Sequence, residues 1–440
     1  MSPTKLKVQL MSFASEFADY LEDLCAVLGH KDRHTSFKGY CSALMLPIER
    51  KSVEPLAAHI DPKNVRSRHQ SLHHFVADAP WSDRKLLDRV TQKVIESAGT
   101  SDQWHWIVDD TGMPKKGKHS VGVSHQYCGQ LGKQANCQVA VSVSLANQSL
   151  SAPIDYRLYL PKSWVEDPER CAHVGVPGEI EFQTKQQIAL AQLAGACERG
   201  IPRGIVTADS AYGSDLDFRD GVQALGLDYT VAIRSNTLVW PPGTTPRSPK
   251  RYKGIGRKPT RQRIAKGHEP QHVEQIANSL DDKQWRRVTW AEGTNDVLWS
   301  RFAAVRVRVA PKNHLSAELR EEQWLVIEWP ETAEEPANYW LSSLSASSTK
   351  KQLVKSAKVR WRIERDYQEL KQELGLNQYE GRSWRGFHHH ASLCIAAYGF
   401  LIIQRLRYPT RKKNRGQGKQ SALPKEYRPR GAATDAATCV

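Results

Sequence analysis

A chain of 440 residues exceeds what one hydrophobic core usually organises, so two or three structural units are expected. Its formal charge of +16 implies a polyanionic partner, nucleic acid before an acidic membrane surface. No long uncharged apolar run supports a membrane span, and the longest candidate, Ala391 to Ile403, reads as a buried helix. Near the N-terminus Glu16, Asp19, Glu22 and Asp23 stand where a secretory signal needs an uninterrupted apolar core, so a cytoplasmic location is expected. The eight cysteines are scattered without a C-x-x-C pair, which supports neither a disulfide framework nor a zinc ribbon and predicts reduced thiols.

From Phe13 to about Ile95 apolar residues recur at three- and four-residue spacing, as in FADYLEDLCAVL, and residues 1–98 are expected to form a helical N-terminal unit. Its stretch with Arg66, Arg68, His69, His73 and His74 reads either as a basic helix on DNA or as a bundle helix packed on the next domain. At Trp104 the character turns to β: WHWIVDD, the Gly/Lys-rich GMPKKGKHSVG and NCQVAVSVSLAN predict a strand, a basic loop and more strands. KQQIALAQLAGACERG has helical period and ends on Gly, GIVTADSAYG reads as a short buried strand entering a turn, and GLDYTVAIRSN as another strand. Strand, hairpin, helix, strand, helix, strand is the order of an α/β mixed sheet flanked by helices, expected over residues 99–240 and 345–405.

Residues 241–266 are rich in Pro, Gly, Lys and Arg and contain no acid, which predicts an exposed loop or insertion. Strand-like segments between Trp285 and Leu344 extend this to a basic loop and β-rich insertion over 241–344, before the last helices. The stretch RLRYPTRKKNRGQGKQ begins a basic tail, 406–440, expected to be mobile unless it meets DNA.

Phosphodiester chemistry with hard divalent ions needs carboxylates that converge from separate elements. Three candidates end or interrupt apolar segments: Asp109 or Asp110 after WHWIV, Asp209 after IVTA, and Glu364 within VRWRIERDYQELKQELG. Helical geometry sets Arg360, Glu364, Tyr367 and Lys371 along one stripe. That stripe reads either as a solvated face laced by i,i+4 ion pairs or as a metal ligand framed by two DNA-binding cations; composition alone does not choose.

The motifs VDDTGMPKKGKHSVGVSHQYCGQLGKQANCQVAV, LYLPKSW, TADSAYG and RWRIERDYQELKQELGLNQYEGRSWRGFHHH, with the apolar helix after them, resemble the DDE transposases of bacterial insertion sequences. They are similar in particular to the 701 insertion-sequence family, over roughly Phe13 to Leu401. The resemblance implies a ribonuclease-H-like fold with the first Asp on the first strand, the second after the fourth strand, and the Glu on a late helix. It implies Asp109, Asp209 and Glu364 as catalytic metal ligands for Mg2+, two ions, with Mn2+ able to substitute. The family's first motif selects Asp109 over Asp110, and adjacent strand side chains point to opposite faces, so only one readily joins a cluster. The late helix resembles a Tyr, Arg, Glu and Lys signature that assigns Arg360 and Lys371 to DNA contact. One position departs from it, since the Tyr expected three residues before Arg360 is Ala357. Glu369, Glu373 and Glu380 compete for the acidic role.

The implied partners are double-stranded DNA, both terminal inverted repeats and target, with a dimer on DNA, no membrane, and nucleoid association when bound. Rival readings are a metal-dependent nuclease that cuts without joining and a non-catalytic DNA-binding regulator. The loop KKGKH follows the first Asp closely enough for Lys115, Lys116 and Lys118 to touch a phosphate; its plainer reading is a solvated hairpin. The G-x-x-x-x-G-K-[ST] pattern is absent, which disfavours an ATP-driven motor. His388, His389 and His390 point about 100° apart on a helix and cannot all ligate one ion, so packing or a phosphate is expected. The tryptophans of the insertion are expected in its core, with base stacking by one of them as the alternative.

Overall fold

The computed structural model describes residues 3–101, 103–260, 262–264, 266–292, 297–310 and 319–409. Five helices come first: α1 (Pro3–Cys25), α2 (Asp32–Leu44), α3 (Val53–Ile60), α4 (Val65–Ala77) and α5 (Asp83–Ala98). The Ser82 hydroxyl starts α5 by accepting from the Lys85 amide at 3.2 Å, and Leu86, Leu87, Val90 and Val94 then recur at helical spacing on its buried face.

The first sheet follows with β1 (Trp104–Pro114), β2 (Ser124–Cys128), β3 (Lys133–Ala146) and β4 (Ser151–Leu158). Short helices α6 (Lys162–Val165) and α7 (Pro168–His173) lead to α8 (Lys185–Glu198), then β5 (Gly204–Thr207), α9 (Ser210–Gly213), α10 (Leu216–Ala224) and β6 (Thr230–Ile233). Residues Ala140 to Ala146 of β3 pair antiparallel with both β1 and β4, so those two strands flank it. On its other edge β1 runs parallel to β5, with Ile107 opposite Thr207. A parallel bridge from Val206 to Tyr229 places β6 beside β5. The order is β4-β3-β1-β5-β6, and the parallel steps are made through helices, as parallel pairing requires. In β3 the Val and Ser residues alternate as if one face were wet, yet both Ser142 and Ser144 are fully buried because helices cover both faces.

The chain continues with β7 (Leu238–Trp240), β8 (Gln271–His272), α11 (Val273–Asn278), β9 (Arg286–Glu292), β10 (Val297–Val309), β11 (Glu322–Trp329) and β12 (Asn338–Ser342). The strands expected between Trp285 and Leu344 do not stand apart. β12 pairs antiparallel with β6, so a second sheet, β6-β12-β11-β10-β7-β8, grows from the last strand of the first. Its tryptophans pack against cations: Arg287 lies 3.6 Å from the Trp299 ring centre and Arg301 4.1 Å from that of Trp329.

Three helices finish the described chain, α12 (Lys350–Lys358), α13 (Trp361–Gln372) and α14 (Trp384–Arg407). The basic tail expected over 406–440 lies outside the described residues from 410 on. The helix α14 is long and apolar enough to cross a membrane, but 94% of its apolar window is buried between the N-terminal helices and β4. Tyr20 donates to the Ala396 carbonyl at 2.8 Å, joining α1 to it across the core.

The three consecutive histidines open α14 and face three directions. His388 sits between the Trp384 carbonyl and the Leu158 amide, and His390 between the Tyr40 hydroxyl and the Gly375 carbonyl. His389 stacks on Trp81 and meets the Val76 and Trp81 carbonyls, each at 2.9 Å, of which a neutral ring donates to one. Burial outweighs these acceptors and holds His389 and His390 at about 4, as it does His105 on β1, while His388 is also lowered. A lowered pKa means that the unfolded chain takes the proton first as pH falls. The contribution of these histidines to stability is therefore expected to be full above about pH 6.5 and to fall by several kcal/mol in total toward pH 4, since each tenfold difference in proton affinity is worth about 1.4 kcal/mol. Urea unfolding of the parent and of His389→Gln at successive pH values checks this, since the buried carboxyls Asp109 and Asp366, which titrate in the opposite sense, are common to both; the variant is expected to gain on the parent toward pH 4, and a constant difference contradicts it.

Candidate active site

On β1 side chains alternate between two helices. Ile107 and Asp109 face α13, Ile107 packing with Ile363 and Tyr367, whereas Asp110 faces the start of α8 and accepts from Lys185 Nζ at 3.1 Å. The Tyr212 hydroxyl donates to the same Asp110 oxygen at 3.2 Å. Because β1 and β5 are parallel and Ile107 is opposite Thr207, Asp109 and Asp209 each lie two residues beyond the pair, at the same end of the sheet. Asp209 caps α9, its Oδ1 accepting from the Ala211 and Tyr212 amides at 2.8 and 3.3 Å.

Asp109 is 9% exposed, and its carboxyl is pushed up to about 7. Burial is the main cause, opposed by the Arg360 guanidinium and reinforced by the charges of Asp209 and Asp110. Arg360 donates to Asp109 Oδ2 at 2.8 Å and to Glu364 Oε1 at 3.2 Å, so one guanidinium joins acids from β1 and α13. The Glu364 side chain is 65% exposed.

The stripe on α13 lies along β1. Arg360 holds Asp109 near one end, Tyr367 shares a 2.7 Å hydrogen bond with Ser142 on β3, and Lys371 donates to the Gly112 carbonyl at 2.9 Å. Burial lowers the Lys371 ammonium pKa. Two of the competing glutamates are held in ion pairs elsewhere: Glu369 with Arg405 at 2.7 Å and Arg365 at 3.1 Å, Glu380 with Arg50 at 2.6 Å. The Glu373 carbonyl takes the buried Lys51 ammonium. Ala357 is buried in α12 against Phe302, Val326 and Trp340 of the second sheet.

Lys116 and Lys118 are exposed in the loop after β1. Lys115 is turned inward, donating to the Tyr379 carbonyl at 2.6 Å, and burial lowers it to about 8. Arg170 anchors the loop through the Lys118 carbonyl at 2.9 Å.

Several residues of this region were not singled out by sequence. Lys185 and Tyr212 fix Asp110, a pairing across chain separations that no local pattern carries. Asp366 is buried, bonded by Ser151 and by Tyr398 at 2.9 Å, and burial raises its carboxyl to about 6. Its signal was available, since an acid between Ile363, Tyr367 and Leu370 stands on the apolar stripe of its helix.

The donor chemistry fits hard divalent ions: Asp109, Asp209 and Glu364 offer only oxygen, and a buried Asp109 with acids beside it is stabilised by positive charge. That charge comes here from Arg360. Among the described residues no three His, Cys, Asp or Glu side chains gather closely enough to hold a metal ion, Glu364 being turned to Arg360 at the surface.

Comparison with known proteins agrees with this chemistry. A family model described as "DDE superfamily endonuclease" matches residues 23–297, more than half of the chain and a span that contains Asp109 and Asp209. The chain belongs to the DDE superfamily endonuclease family. It is 30% identical over 193 residues to the "Probable transposase for insertion sequence element IS701" of Microchaete diplosiphon, 44% of this chain and 47% of that protein. The match thus spans about half the length of this relative, and the chain resembles the transposases of that element.

Proposed function

We propose that this protein is a DNA transposase that cuts the ends of a mobile element and joins them to target DNA. The observation that carries the reading is the meeting of Asp109 and Asp209 at the ends of adjacent parallel strands, beneath the helix that bears Arg360 and Glu364. The strand order β4-β3-β1-β5-β6, with β3 antiparallel to β1, supports a ribonuclease-H-like fold for the catalytic unit, extended by the second sheet.

Asp109, Asp209 and Glu364 would hold two Mg2+ ions, or Mn2+ in their place. Bound there, the ions supply Lewis acidity to the phosphate and make water or a 3′-hydroxyl a stronger nucleophile. The remaining work belongs to the chain. The amides of Ala211 and Tyr212 hold Asp209 in one orientation, while Lys185 and Tyr212 hold Asp110 on the opposite side of β1. Arg360 and Lys371 meet the DNA backbone beside the acids, with Lys116 and Lys118 on the neighbouring loop. Water displaces the 3′-oxygen at the element's end, and the freed 3′-hydroxyl then attacks a target phosphodiester, each an in-line displacement. In the N-terminal unit, α4 buries Leu72, Phe75 and Val76 and exposes Arg66, His73 and His74, a face suited to reading terminal repeats. Two ends brought together imply a dimer on DNA.

The test is a plasmid carrying the DNA that flanks this gene on both sides, incubated with the protein and Mg2+. Cleaved ends and joined products are expected. Cleavage without joining would leave the nuclease reading, and binding without cleavage the regulator.

The guanidinium bridge adds a prediction. With Arg360 replaced by Ala, Asp109 and Glu364 lose the cation between them, so Mn2+ is expected to bind the DNA-free protein about tenfold more tightly, about 1.4 kcal/mol. Electron paramagnetic resonance of free Mn2+ measures this, and weaker binding by Arg360→Ala contradicts it.

A further inference from the structure

Between β7 and β8 the chain leaves the second sheet as an arm. Arg247 and Arg263 pair antiparallel, each amide donating to the other's carbonyl at 2.8 Å, which returns the intervening segment on itself. The nine residues from Lys250 to Lys258 are all exposed. Five of them are cationic, Lys250, Arg251, Lys253, Arg257 and Lys258, and no acid occurs from Pro241 to Lys266. Among the described residues none of the five forms an ion pair, so only water and counterions screen their mutual repulsion, and a polyanion would release those ions on binding.

The tip has a different character. Gly254 and Gly256 take left-handed φ values of 83° and 77°, and between them Ile255 is 89% exposed, well above every other large exposed hydrophobic described. The Tyr252 hydroxyl donates to the Gly256 carbonyl at 3.1 Å and ties the turn below the isoleucine. A solvated turn gains nothing from a β-branched apolar side chain at its apex, and Asn, Asp or Ser would serve there. A cationic stem with an isolated aliphatic tip matches the way minor-groove proteins work: cations follow the phosphates while an apolar side chain enters between base pairs and opens the step. The flanking glycines keep the tip slim beside a groove about 6 Å wide.

We propose that this arm lies along the minor groove of duplex DNA and that Ile255 wedges into a base step, bending the duplex. The proposal rests on the reading of the chain as a DNA-acting enzyme, and goes beyond it in assigning DNA deformation to a segment remote in sequence from the catalytic residues.

The experiment uses the full chain and a 40-base-pair duplex with a central TA step and a fluorophore at each end, read by energy transfer for bending and by anisotropy for affinity. The unmodified protein is expected to bind and to raise energy transfer. Ile255→Ala is expected to bind within about twofold and to lose most of the bend. Replacing all five cations by Ala is expected to weaken binding and to flatten the dependence of log affinity on log salt by about 4.5, near 0.9 for each phosphate no longer neutralised. Unchanged bending by Ile255→Ala overturns the wedge, and an unchanged salt slope in the five-Ala variant overturns the arm as a DNA surface. Both results leave the transposase reading intact, whereas an unmodified protein that does not bind the duplex defeats both. All these side chains are exposed, so circular dichroism of the variants is expected to match that of the parent.

Discussion

Asp209→Asn is expected to lower cleavage at an element's end by about a thousandfold or more, while binding of the same DNA stays within about twofold. The substitution removes charge and leaves shape. The Asn side-chain carbonyl can still accept from the Ala211 and Tyr212 amides that Asp209 Oδ1 caps, so α9 keeps its start. Glu364→Gln is expected to act similarly, and its exposed side chain makes a folding defect an inadequate explanation for the loss. Gel assays of cleavage and of mobility shift on one labelled duplex separate the two effects. Cleavage at the parent rate by Asp209→Asn would remove the metal-ligand role.

Gly213→Ala is expected to destabilise the protein by about 3 kcal/mol, at the upper end of overpacking, and to take activity with it. A Cβ there would lie 2.0 Å from the Ala232 carbonyl oxygen and 2.8 Å from Val231 Cβ, on the strand β6 against which α9 rests. The closest obstacle is backbone, so no rotamer change relieves it, and α9 would have to lift, carrying Asp209 and Tyr212 from their places. Gly117→Ala is the control, since a Cβ at that position meets nothing within 4 Å. Urea midpoints measured at constant slope decide the comparison; equal midpoints for the two variants would show that α9 is free to move.

Sequence patterns reached some of this arrangement and stopped at definable points. Apolar spacing announced the N-terminal helices, and the run ahead of Asp109 and the GIVTA segment announced β1 and β5, because burial writes a local period. The parallel register that brings Asp109 and Asp209 to one end of the sheet is a long-range property and left no local mark. The stripe on α13 was legible from helical geometry, but the face it meets was not. Arg360 and Lys371 are fastened to Asp109 and Gly112 of β1, whereas residue type alone allowed a solvated ladder of charges.

The second sheet was harder still. Its strands were visible as β-rich segments, yet β12 pairs with β6 across more than a hundred residues, and no composition records such a partner. Lys115 shows the same limit at one side chain, because its inward turn is set by the Tyr379 carbonyl, which arrives from far along the chain. For the histidines, divergent helical directions excluded a shared ion, but the carbonyls and hydroxyl that engage them belong to other elements.

Joint action of the three acids is tested most directly by anomalous diffraction from crystals of the protein bound to duplex DNA and soaked in Mn2+. Two peaks about 4 Å apart are expected between Asp109 and Asp209, with Glu364 drawn in and Arg360 moved onto the DNA backbone. Peaks on the Asp110 and Lys185 side of β1, or no Mn2+ near Asp209, would contradict it.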